Sequence, residues 1–203
     1  MRTLVRLCLI LLAVAAPTAS QAARAYYYKM VDTNDAAGFH AGKILKPRFA
    51  KRLLKEDHPV TMGRTTSYNG GAAERLFQET LTTLRKEGKV DRQAPGRTEG
   101  IFVAADLNRF PQFRDDPYRS KVTLAPVSKA RVATYDRRHF LAAIRALDRA
   151  DKATGAAKTR HLATAQREAE RYYLVAPNLA DAKAEPETLL GGGGTVVKVT
   201  LRR

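Results

Sequence analysis

Two carboxylates stand two residues apart in Glu168-Ala169-Glu170, just ahead of the aromatic and apolar run at 171–176. In extended backbone, residues i and i+2 point to the same side, so both acids would face one cleft. Such a pair can divide its work. One carboxylate steadies positive charge that develops on a ligand, and the other orients or deprotonates an attacking group. On a helix the same positions diverge by about 200°, and the pair becomes a solvated face. The alanine-rich, charged residues before it fit a helix, and the run after it has strand character, so both geometries stay open.

Other chemistries have less to build on. The histidines are His40, His58, His139 and His161, and none pairs with another at short spacing. The only cysteine is Cys8. A zinc site would need ligands gathered from distant points of the chain. No Gly-x-Ser-x-Gly elbow occurs. The glycines 191–194 lack the Lys-Ser/Thr of a phosphate-binding loop and lead into a strand rather than a helix. They read as a flexible link, a slack hairpin or loop.

The first 22 residues read as a cleavable secretory signal. Arg2 and Arg6 precede an apolar run from Leu7 to Ala16, and Ser20-Gln21-Ala22 supplies small residues for cleavage. The run is too short to cross a bilayer. The expected mature chain, 23–203, is a single secreted or periplasmic domain with no transmembrane segment and no cysteine. The formal charge of the whole chain is +16. A field of that sign attracts polyanions such as nucleic acid, anionic lipid or phosphate-bearing ligands. Because Lys and Arg are scattered rather than clustered, simple solubility explains the charge equally well.

The elements that would position these groups alternate in type. Strands are expected at 25–31, 100–105, 121–127, 130–135 and 195–201. Pro126 points to an edge or a bulge. A helix is expected over 72–88, with Leu76, Phe77, Leu81 and Leu84 on one face and Gly88 as its stop. Asp136 caps a second helix, whose stripe is Phe140, Leu141, Ile144 and Leu147. A shorter helical face carries Phe49, Leu53 and Leu54. Residues 61–71 and 89–99 read as polar loops. No internal repeat is apparent. The order gives an α+β class, with mixed or antiparallel sheets and flanking helices.

Three stretches carry a resemblance. Residues 26–48 run from Tyr28 and Lys29 through Asp32 to Gly42, Leu45 and Pro47. Residues 100–110 form an apolar strand with Phe102 and Val103. The third, residues 167–190, opens on Glu168-x-Glu170, followed by an apolar run and a proline-containing loop. In this order they resemble the ADP-ribosyltransferases of the secreted bacterial toxin type. The resemblance implies transfer of ADP-ribose from NAD to a protein or nucleic-acid acceptor. It implies that Tyr28 and Lys29 line the NAD cleft, that Phe102 and Val103 form its floor, and that Arg97 meets the pyrophosphate. It makes Glu170 the catalytic carboxylate and places Glu168 on the acceptor side. The chain departs from the family in two places: Lys29 stands where Arg or His is usual, and Ala104 and Ala105 replace hydroxyl residues that would brace the glutamate. The alternative to an enzyme is a basic module that binds a polyanion without turnover.

Overall fold

The computed structural model describes residues 26–47, 54–62, 65–109, 111–174 and 186–202. The signal segment and the helical face around Phe49 and Leu53 lie outside the described residues. The fold is α+β, with antiparallel sheets.

Two sheets meet along one seam. In the first, β1 (Tyr27–Asp32), β6 (Arg119–Pro126), β9 (Gly194–Thr200) and β2 (Ile44–Leu45) lie in that order. In the second, β5 (Gly100–Val103), β8 (Pro186–Gly191) and β7 (Val132–Asp136) lie in that order. A single bridge joins them: Tyr28 and Ala104 exchange both backbone hydrogen bonds at 2.8 Å. The start of β1 is thereby set beside the end of β5. A separate hairpin, β3 (Pro59–Met62) with β4 (Thr66–Asn69), replaces most of the loop expected at 61–71. Pro126 ends β6, and the irregularity in that strand falls earlier, between Thr123 and Leu124.

Helix α1 (Gly70–Lys86) starts where the Asn69 side chain accepts from the Ala72 amide at 3.0 Å. It stops at Gly88, whose φ of +68° lets the Lys89 amide reach back to the Leu84 carbonyl at 2.9 Å. A short helix, α2 (Pro111–Arg114), precedes β6. Asp136 caps α3 (Arg137–Asp151), accepting from the Arg138 amide at 2.9 Å. Helix α4 (Gly155–Leu174) runs through the stretch that had strand character. The reason is periodicity: Ala165, Ala169, Tyr172 and Tyr173 are all buried, and their spacing of four, three and one continues one helical face. The tyrosines end a helix rather than begin a strand.

These faces make two cores. One packs Phe77, Leu81, Phe140, Ile144 and Tyr172 between the helices and the second sheet. The other packs Val31, Val122, Leu124 and Leu190 between the sheets. The chain passes from β8 to β9 through Gly192 and Gly193, with φ of +76° and +94°. This is a tight turn, not a slack link. A Cβ on Gly193 would sit 1.8 Å from the Leu45 carbonyl oxygen, whereas one on Gly42 (φ +84°) meets nothing within 4 Å. Gly193→Ala therefore combines a clash with the cost of left-handed backbone, about 1–3 kcal/mol for the backbone alone. Gly42→Ala carries only the backbone cost. Urea denaturation of the two variants should show the larger loss at Gly193.

Candidate functional site

The loop at 94–99 was expected to be polar and solvated, yet Arg97 and Thr98 are buried. Side chains from β7 and α1 hold it there. The Tyr135 hydroxyl donates to the Pro95 carbonyl at 2.9 Å. Arg85 pairs with Glu99 at 2.6 Å. Glu99 also accepts from the Gly96 amide at 2.9 Å, and Thr98 donates to Gln78 at 2.9 Å. The loop so fixed delivers Arg97 into the aromatic core.

There the guanidinium meets two carboxylates. Its Nη1 lies 2.7 Å from Glu187 on β8, and its Nε lies 3.2 Å from Glu74 on α1. The Tyr172 hydroxyl also donates to Glu187. Aromatic rings enclose the group: the guanidinium carbon is 3.8 Å from the Phe140 centroid, 4.8 Å from Phe102 and 5.4 Å from Phe77. Burial alone would lower the Arg97 pKa, but Glu187 and Glu74 outweigh it and raise the pKa well above the ordinary value. Burial raises the Tyr172 phenol in turn, so that it stays a proton donor.

Glu187 faces a cavity of about 270 Å³ at the seam between the sheets. Tyr28 and Lys29 of β1, Phe102 and Val103 of β5, and Arg137 at the start of α3 line it as well. Four of the five residues expected to contact a dinucleotide thus share one cavity. Arg97, the fifth, stands behind Phe102 and is occupied by Glu74 and Glu187, so it is not free to meet a pyrophosphate. Arg137, half-buried, supplies a cation at the cavity instead. Lys29 makes no ion pair with any described residue, and burial pushes its pKa down.

The expected acid pair is elsewhere. Glu168 and Glu170 sit on α4, where positions two apart diverge. Glu168 lies 2.7 Å from His139 Nδ1 and 3.0 Å from Arg171, while Glu170 accepts from Gln166 at 3.1 Å. Neither lines the cavity. The acid that does was legible: Glu185-Pro186-Glu187 is also Glu-x-Glu, and Thr188-Leu189-Leu190 follows it directly as a strand. Strand alternation then puts Glu187 and Leu189 on one face. Glu74 and Tyr172 gave no such signal, because only the tertiary packing brings them to Arg97.

Among the described residues, no group of three or more His, Cys, Asp or Glu could hold a metal ion, and no helix is long and apolar enough to cross a membrane. No protein-family model, curated protein or solved structure matches the chain.

Arg97→Met would leave two buried carboxylates facing each other without their cation. Loss of one partner from a buried pair costs about 3–5 kcal/mol. Denaturant unfolding should show that loss, and Arg114→Met, which breaks an exposed pair with Asp115, should fall within about 1 kcal/mol of the parent.

Proposed function

We propose that the seam cavity binds the nicotinamide-ribose end of NAD and that Glu187 is the carboxylate that drives transfer of ADP-ribose to a macromolecular acceptor. The observation that carries this reading is convergence. Tyr28, Lys29, Phe102 and Val103 come from strands some seventy residues apart in sequence, and they meet around one carboxylate. The volume lies just below that of sites enclosing a whole drug-sized ligand, about 300 Å³ or more. One base and one sugar suit it, and the rest of the dinucleotide extends past its mouth.

In the reaction, the bond between nicotinamide and ribose breaks, and nicotinamide leaves with the bonding pair. The ribose carbon becomes oxocarbenium-like, and an acceptor nucleophile closes the new bond, its proton passing to solvent. Glu187 accepts a hydrogen bond from a ribose hydroxyl and stabilises the developing charge. Arg97 does not cancel this field, because its one positive charge is shared between Glu187 and Glu74, leaving the cluster a net negative charge. Arg97 and Tyr172 hold Glu187 where hydroxyls at positions 104 and 105 would otherwise brace it. Lys29 and Arg137 supply positive charge for the anionic part of the ligand.

If the reading holds, NAD at about a hundred times its Kd stabilises the fold by about 2.7 kcal/mol, seen as a rise in Tm. Glu187→Gln should lower the rate of nicotinamide release about a hundredfold or more while the fold is kept. The same change at Glu170 tests the residue that sequence alone favoured; the loss is expected at Glu187 and none at Glu170. Lys29→Met should raise the Tm of the free protein, since an ammonium held at lowered pKa is charged at neutral pH against the preference of its surroundings. It should weaken NAD at the same time. An unchanged Tm with NAD, together with no nicotinamide release, would leave the non-enzymatic polyanion-binding alternative.

A further inference from the structure

Helices α3 and α4 share a pattern that was not apparent along the sequence. Arg138-His139 begins one copy, with Ala143, Arg145 and Arg149 following, and Arg160-His161 begins the other, with Ala165, Arg167 and Arg171 following. Both read Arg-His-x-x-x-Ala-x-Arg-x-x-x-Arg. The alanines Ala143 and Ala165 are buried. Steps of seven and four residues bring the three arginines of each copy back within about 40° of one another around the helix. All six arginines are exposed, on the side away from the buried alanine.

The helices pack side by side over the aromatic core, which takes Phe140 and Ile144 from α3 and Ala169 and Tyr172 from α4. His139 contacts Glu168 across the pair. Antiparallel packing with that register sets Arg138 level with Arg171 and Arg149 level with Arg160. The two arginine rows therefore lie beside each other over eleven residues, about 16 Å at 1.5 Å per residue.

Acids near the rows are already engaged. Glu168 is held by His139 and Arg171, and Asp148 by Lys152 at 2.7 Å. Asp136 is held by Arg138. The guanidinium groups of Arg145, Arg149 and Arg160 make no hydrogen bond or ion pair with any described residue. Small residues, Ala142, Ala163 and Thr164, separate the arginines. The exposed Leu162 is two residues from Arg160 and turns the other way, toward Ala72 and Arg75 of α1. The exposed Leu174 stands one turn beyond Arg171 at the end of the row, and no exposed large apolar side chain lies between the arginines. That composition fits a phosphate backbone rather than the acyl region of a membrane.

We infer that the outer face of the α3–α4 hairpin is a docking surface for the phosphate backbone of nucleic acid. Contacts run along the two arginine rows and read no base sequence, as phosphate contacts do. The surface is separate from the seam cavity, and its test does not depend on NAD.

The test titrates a fluorescent, mixed-sequence DNA duplex with the full chain across a salt series. One variant carries Arg145→Glu, Arg149→Glu and Arg160→Glu. A control carries Lys46→Glu, Lys129→Glu and Lys198→Glu, which remove the same charge from loops and strands elsewhere. Arg→Gln at the three hairpin positions serves if the charge reversal disturbs folding by circular dichroism. The inference expects salt-dependent binding by the parent, and a loss of about tenfold or more in the hairpin variant. The log–log salt slope should become shallower by about one for each phosphate contact removed. The control should keep most of the affinity. Absence of binding by the parent, an equal loss in the control, or tighter binding to phosphatidylserine vesicles than to the duplex at the same salt would overturn it.

Discussion

A single buried cation organises the centre of this protein. Arg97 sits among Phe77, Phe102 and Phe140, where an isolated charge would be untenable. It is tolerated because Glu74 and Glu187 reach it from opposite elements. Each partner belongs to a different part of the architecture: Glu74 to α1, Glu187 to β8, and Arg97 to the loop that enters β5. The charge cluster therefore couples the helical layer to the second sheet. Replacement by apolar residues could satisfy packing alone. What such a core would lack is a carboxylate held at the wall of the cavity.

The seam supplies the other half of the arrangement. Two short sheets touch through one pair of hydrogen bonds, Tyr28 with Ala104. Where strands pair continuously, side chains from both sides close the space between them. Where pairing stops, a gap is left, and here it is walled by β1, β5 and the first residue of α3. The cavity is thus a consequence of the topology, and the chemistry is a consequence of which side chains the strands present there. Lys29 and Arg137 bring positive charge, while Glu187 brings negative charge backed by Arg97. A ligand with a cationic ring, a sugar and phosphates matches both signs.

Much of the framework was readable from residue types. Aromatic, apolar and β-branched runs marked β1, β5, β6, β7 and β9, and the apolar spacing of Phe77, Leu81 and Leu84 marked α1. Asp136 and Gly88 did at the helix ends what their backbone preferences dictate. Three features were not legible locally, for physical reasons. Tyr172 and Tyr173 are good strand formers, yet the alanine face before them continued the helix. Arg97 stood in a glycine- and proline-marked loop, and nothing local announces that such a loop will be buried. Glu168-x-Glu170 lies on a helix, and a second Glu-x-Glu, Glu185-Pro186-Glu187, leads directly into a strand, a context that only the topology connects to the cavity. The repeated arginine pattern of α3 and α4 was hidden because its shared residues are spaced for a surface, and a surface is visible only once the helices lie side by side.

The central claim is that Arg97 and Glu187 act as one unit rather than as neighbours. A double-mutant cycle on stability measures it most directly, with Arg97→Met, Glu187→Met and the two combined, each unfolded in urea. The account predicts that the double variant is less destabilised than the sum of the single ones, with a coupling of about 1–3 kcal/mol. Additivity within about 0.5 kcal/mol, the behaviour of sites that share no interaction, would contradict it.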